Sequence, residues 1–188
     1  MELMITLALA GVILGVGVPA FNNFAKNGRL TGAANETLVA LMTARNEAVR
    51  RQIRTSLCAS STPSALLAIC DNTATAGFIG FVDANANCQR DSGEDIIANV
   101  SFHSEMKSNA NMSCIGYSPN GFRAVVSGQP SNARAVFCDA RGISKVNPSS
   151  TFSNARGIEI VATGRAAVTR LYADLNTWAG GATPVTCP

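Results

Sequence analysis

At 188 residues the chain can bury one substantial core without help from a metal or cofactor. Its composition, 47% hydrophobic but only 6% aromatic and 14% charged, excludes a disordered or collagen-like polymer and leaves apolar surface for lipid or partners to cover. A net charge of +3 is too mild for a dedicated duplex binder, and the single histidine, His103, leaves little room for a His-based metal site or a Ser-His-Asp relay.

The charge is unevenly spread: residues 26–54 carry six basic and two acidic side chains, 71–105 one basic and six acidic, and 107–188 eight basic and three acidic. The amino terminus is different again. Leu3 to Phe21 is a 19-residue stretch without a charge, about 28 Å long as a helix and close to the thickness of a bilayer's hydrocarbon core. A cleaved signal peptide would carry a basic n-region and a shorter apolar core, whereas here Glu2 leads a longer run. An ordinary signal anchor conflicts with the positive-inside rule, because Lys26 and Arg29 follow the span while six dispersed cysteines point to an oxidising, exported setting. Glu2 beside hydrocarbon costs ~2.5–3.5 kcal/mol on insertion scales and therefore calls for a partner.

A lone Glu2, an apolar run, Gly11 nine residues on, Pro19 seventeen residues on and then Phe21 together resemble the mature helix of a type IV pilin. The resemblance implies a short basic leader, removed by prepilin peptidase from the unprocessed form, and a Phe-Thr-Leu-Ile start, with Met1 standing where that tetrapeptide would end. It also implies insertion in the inner membrane with a periplasmic domain, followed by assembly with other major and minor pilins. Glu2, Gly11 and Pro19 are the residues expected to serve assembly, Glu2 by meeting the terminal ammonium of a neighbouring subunit. Pro19 removes one helical hydrogen bond and is expected to kink or locally melt the helix.

Beyond Phe21 the pattern stays helical to about Gln52 and becomes amphipathic, with Leu38, Leu41, Met42, Ala48, Val49 and Ile53 at three- and four-residue steps. Arg45, Glu47, Arg50 and Arg51 take other faces, expected to be solvated with Glu47 pairing Arg50 or Arg51. From Thr55 short β-type runs take over: Thr55–Cys58, Gly77–Val82, Asp95–Phe102, Ser113–Tyr117, Phe122–Val126, Arg134–Cys138, Gly157–Ala162 and Ala166–Tyr172. Asn120-Gly121 and Thr163-Gly164 read as hairpin turns, and Pro148–Ser153 and Ala179–Pro184 as mobile loops. The expected fold class is α+β and pilin-like: a filament-core half of the helix over 1–25, an amphipathic half over 26–54, and an antiparallel β-sandwich-like domain over 55–188.

A narrower resemblance lies in the order of several motifs. Ala44-Arg-Asn-Glu-Ala-Val-Arg-Arg51 with Leu57-Cys58, Gly77-Phe-Ile-Gly-Phe-Val-Asp83, Arg90-Asp-Ser-Gly-Glu-Asp95, Tyr117-Ser-Pro-Asn-Gly121, Phe137-Cys-Asp-Ala-Arg-Gly142 and Ala155-Arg-Gly-Ile-Glu-Ile-Val-Ala-Thr-Gly-Arg165 are similar to the successive elements of the FimT/FimU/GspH family of minor pilins and pseudopilins. The resemblance covers nearly the whole chain. It implies a non-enzymatic structural subunit, at the tip or in the initiating complex of a type IV pilus, with a type II secretion pseudopilin or a DNA-binding competence pilin as alternatives and no small-molecule substrate.

Three smaller features carry chemical expectations. Asp83, Asn85, Asn87, Asp91 and Glu94 fall at EF-hand-like spacing, but Cys88 replaces the turn glycine, so an acidic solvated turn is expected rather than a calcium site, and no cofactor is required. Gly164-Arg165 stands where DNA-uptake members of the resembled family carry Gly-Arg-x-Arg; here position 167 is alanine, and Arg165, Arg170 and Arg156 are the candidate DNA contacts. Among the cysteines, Cys58–Cys70 is the first expected pair, since the intervening loop contains Pro63 and can return to the strand end. The other four are open, with Cys138–Cys187 pinning the carboxy terminus and Cys88–Cys114 left over as one arrangement. His103 is expected in a surface turn, and Trp178 and Tyr172 over the sheet.

Overall fold

The computed structural model describes residues 1–71, 76–124, 130, 132–181, 185 and 187, without the side chains of Val16 and Pro19. Helix α1, Glu2–Arg51, is a single 50-residue element. Its stop is local: Gln52 takes a left-handed conformation with φ 56°, and its side-chain amide donates to the Val49 carbonyl, satisfying one of the orphan acceptors of the last turn. Helical backbone continues through position 19, so no melting occurs there, while the Pro19 side chain lies outside the described residues.

Two antiparallel sheets follow. The first contains β1 (Thr55–Ser60), β2 (Gly77–Val82), β3 (Ile96–Ser101), β5 (Cys114–Tyr117) and β6 (Arg123–Ala124) in the order β3-β2-β1-β5-β6. The second contains β4 (Lys107–Ala110), β7 (Ala133–Cys138), β8 (Phe152–Ile160) and β9 (Ala166–Leu171) in the order β4-β7-β8-β9. A short helix, α2 (Tyr172–Ala179), follows β9. Thus Ser153, expected in a mobile loop, is instead a buried residue of β8. Most of the expected Ala179–Pro184 loop lies outside the described residues.

The period-2 alternation of the strands divides the interior into three clusters. Leu57 of β1, Phe78 of β2, Ile115 and Tyr117 of β5, Ala135 and Phe137 of β7, and Ile158 and Ile160 of β8 join the inner faces of both sheets to α1. Phe78, Phe102 and Phe137 meet edge to face, with centroids 5.3–6.3 Å apart, and tie one sheet to the other. On the outer face of the first sheet Cys58, Ile79, Phe81 and Cys114 pack beneath loops held by Cys58–Cys70 and Cys88–Cys114, whose Cα atoms are 5.6 and 5.9 Å apart. On the outer face of the second sheet Val136, Ala155, Leu175 and Trp178 form a further core, closed by Cys138–Cys187 with Cα atoms 6.0 Å apart. The small residue at 157 is required here. A Cβ on Gly157 would lie 2.4 Å from Leu175 Cδ2 and 2.5 Å from the Trp178 ring.

The buried stripe of α1 differs from the amphipathic face expected of it. Leu30, Ala33, Ala34, Ala40, Leu41, Ala44 and Ala48 are buried, whereas Met42, Val49 and Ile53 stay exposed. Alanine lets the helix axis approach two sheets at once, and the larger side chains are displaced to its flanks. Arg45 is corrected too: its Nε donates to the Gly121 carbonyl (2.8 Å) and an Nη to the Thr163 carbonyl (3.2 Å), so it clamps both hairpin turns to the helix rather than lying in solvent. Arg50 and Arg51 do pair Glu47, each at 2.6 Å. The acidic middle of the chain packs beside the basic helix through Arg51–Asp95 (2.9 Å) and Arg29–Glu105 (2.7 Å).

Candidate functional site

The largest unsatisfied feature is the first half of α1. Every described large apolar side chain from Leu3 to Phe24 is more than half exposed, and the stretch qualifies by length and composition as a membrane span. Such a surface far exceeds what a soluble monomer leaves bare. Among the described residues nothing lies within 4 Å of where a Cβ on Gly11, Gly15 or Gly17 would sit, so packing among them gives no reason for these glycines. Small residues on an apolar helix permit close approach of another helix. Gly15, one turn beyond Gly11, was not among the expected assembly residues; its four-residue spacing from Gly11 is the signal that finds it. Glu2 is exposed in the first turn, where the positive end of the helix dipole favours a carboxylate.

The acidic turn is self-satisfied. Asp83 is fully buried: one carboxylate oxygen accepts from the Asn87 amide, the other from Ser56 Oγ and the Cys88 amide, and the Arg54 guanidinium stands 3.3 Å away. Asn85 and Asn87 donate to the Asp91 carboxylate at 2.7 and 2.9 Å, and Glu94 accepts from the Ala84 and Asp91 amides. Asp83 therefore faces the protein interior while Glu94 braces the loop. The expected turn is present, though its first carboxylate is buried rather than solvated, and Cys88 takes the left-handed conformation at φ 61° in place of the glycine while tied to Cys114. Among the described residues no group of three or more His, Cys, Asp or Glu side chains is placed to hold a metal ion.

The three candidate arginines are split. Arg45 touches the Thr163 carbonyl, while Arg156 donates to Thr31 Oγ1 at 3.2 Å; these helix positions are about 21 Å apart along the axis. Arg165 follows Gly164, whose φ of 80° and close approach to the Gly121 carbonyl fix that turn, and is exposed at the end of the domain far from the apolar span. Arg156 and Arg170 lie together at the near end, both donating to the Ser153 carbonyl at 3.4 Å. Arg156 is only 5% exposed, and burial, reinforced by Arg170 and Arg141, brings its guanidinium down to about 10. His103 sits exposed in a turn, its Nδ1 accepting from the Glu105 amide. Trp178 is buried against β8, and Tyr172 lies under the Lys145 ammonium.

A family model described as type II transport protein GspH matches residues 33–164, most of the chain and the β domain through β8. The chain belongs to the GspH family. Among solved structures, the minor pilin FimU of Pseudomonas aeruginosa superposes with a TM-score of 0.52 at 18% identity, covering 78% of this chain and 92% of that one. The minor pseudopilin EpsH of Vibrio cholerae gives a TM-score of 0.48 at 7% identity, covering 76% of this chain and 97% of that one. Comparison with curated protein sequences returned no significant relative. The GspH-family chain thus has the fold of a minor pilin, a long helix on an antiparallel β domain, with an apolar first half that the domain leaves uncovered.

Proposed function

We propose that this GspH-family chain is a structural subunit, a minor pilin that waits in the inner membrane through the first half of α1 and then enters a type IV pilus at its tip or in its initiating complex. The single observation that supports this reading is the bare apolar half of α1, continuous with a domain of the minor pilin fold. Assembly would move the Leu3–Val18 surface from lipid into helix–helix contacts, with Gly11 setting the approach and Glu2 finding a positive partner on the neighbouring subunit. Prepilin peptidase would act on the unprocessed form, and other major and minor pilins are the partners. The exposed Val39, Met42 and Val49 extend that contact surface above the membrane.

The test is Glu2→Ala in the full chain. Membrane insertion should persist while recovery in sheared filaments falls; normal incorporation would sink the role of Glu2. A second reading, a type II secretion pseudopilin, is favoured by the description of the matching family model. Deletion of the gene separates the two, since loss of surface pili supports the first and loss of protein secretion the second. The DNA-uptake alternative loses support from the separation of Arg165 from Arg156 and Arg170.

A further inference from the structure

The end of the β domain nearest the apolar span carries positive charge that no carboxylate among the described residues pairs. Arg156, 95% buried by its 5% exposure, spends its donors on neutral groups: Thr31 Oγ1 and the carbonyls of Ser153, Asn154 and Ala155. Arg170 shares the Ser153 carbonyl and lies over the Phe152 ring at 5.3 Å. No carboxylate among the described residues lies within ion-pair distance of either guanidinium. Asp139, which attracts Arg156, is already gripped by Arg141, with four contacts from its amide and guanidinium. A buried charge without a counter-charge is costly, so an anion arriving from outside would relieve a penalty that the folded monomer bears.

The position of this cluster identifies the anion. Phe24, 74% exposed, ends the apolar face of α1, and Lys26 is the first charge after it. Thr31, which carries Arg156, stands about 10 Å further along the axis than Phe24. The headgroup layer beyond the hydrocarbon is about 5–7 Å deep on each side, and Lys and Arg side chains reach back into it by snorkelling. Phe152 and Leu171 are cross-strand partners, both exposed, and Lys145 is bridged to Ser153 beside them. Exposed aromatic and aliphatic groups next to Lys and Arg are the composition of a surface that rests at a membrane interface.

We propose that the membrane-facing end of the β domain docks on anionic lipid, with Lys26, Lys145 and Arg170 meeting headgroup phosphates in front of the buried Arg156, and Phe152 and Leu171 touching the acyl boundary. The proposal rests on the reading of α1 as a membrane anchor. Docking would hold the domain against the bilayer before assembly, and extraction into a filament would break it. The buried Arg156 supplies fixed positive potential behind the face, while the more accessible Arg170 and Lys145 make and release the contacts.

The experiment uses the full chain reconstituted into vesicles of phosphatidylcholine alone or of phosphatidylcholine with phosphatidylglycerol. Flotation under alkaline conditions reads insertion, and amide hydrogen exchange over residues 139–156 and 168–172 reads docking. Slower exchange is expected only in the anionic vesicles, reversed by salt, and Arg170→Gln or Lys145→Gln should lower the docked-to-undocked ratio about fivefold each without affecting flotation. These partly exposed positions avoid the folding defect that Arg156→Gln risks. Equal exchange in the two compositions, with normal flotation, would overturn the docking face. Failure to float would overturn the anchor reading and the docking face with it. Equal protection by a short DNA duplex in neutral vesicles would overturn the lipid assignment in favour of nucleic acid.

Discussion

Cys58 and Cys114 are cross-strand partners of β1 and β5, both buried, yet each bonds to a different cysteine, Cys58 to Cys70 and Cys114 to Cys88. The sheet thus brings two sulfurs side by side and uses neither to bond the other. Both bridges instead fold a loop over the outer face of the first sheet, covering Ile79 and Phe81. Directly opposed strand residues have Cβ atoms about 4.5–5.5 Å apart, close to the span of a disulfide.

Removing the outer partners should expose this proximity. In a Cys70→Ser/Cys88→Ser variant the two remaining thiols should oxidise together, and peptide mapping without reduction should recover a Cys58–Cys114 crosslink. Two free thiols after oxidation would contradict the register. In the unaltered chain, loss of either loop bridge should cost about 2–5 kcal/mol of stability, measured as a shift in denaturation midpoint.

Gly157→Ala tests the packing of α2. The added methyl would stand 2.4 Å from Leu175 Cδ2 and 2.5 Å from Trp178, closer than real contacts allow. Overpacking of this kind costs about 1–3 kcal/mol, and because Trp178 is the chain's one tryptophan, its fluorescence reports the displacement directly. An unchanged spectrum and midpoint would show that α2 does not lie on β8 as described.

Acid should loosen the helix end. Hydrogen bonds from Arg50 and Arg51 hold the Glu47 carboxyl down from the usual 4.5 to about 2. A depressed folded-state value means stability fully present above 4.5 and lost as the pH falls towards about 2. Glu47→Gln should flatten that part of the stability profile measured by chemical denaturation between those pH values. A variant with the same acid slope as the parent would remove Glu47 as its source.

Calcium at millimolar concentration should leave the melting curve unchanged, because Asp83 is buried and engaged by Ser56 and the amides of Asn87 and Cys88. Asp83→Ala should itself destabilise by about 1–3 kcal/mol, through the donors left unpaired, with or without the ion. A calcium-dependent rise in melting temperature that disappears in Asp83→Ala would overturn this account.

Much of the fold was legible in local pattern. An uncharged 19-residue run, then helical periodicity, then short apolar runs between Gly and Asn turns, is enough to place α1, most of the strands and the turns at Gly121 and Gly164, since each signal is written in neighbouring residues. β4 was not legible, because Lys107-Ser-Asn-Ala110 is polar and becomes a strand only through its ladder with β7. Nor was α2, whose eight residues are too few to declare a helical period and which is held by Trp178 and Leu175 on β8. The buried face of α1 depended on how closely two sheets approach the helix, a distance that favours Ala40, Ala44 and Ala48 over Met42 and Val49. The candidate arginines show the same division. Residue type marked Arg156, Arg165 and Arg170 as phosphate contacts, but only the antiparallel course of β8 and β9 beside α1 decides that Arg156 and Arg170 share one carbonyl at the end nearest the apolar span while Arg165 stands at the opposite end of β9, about 17 Å along the strand from Arg170. A sequence records which charges a chain possesses; the register of its strands determines which of them act together.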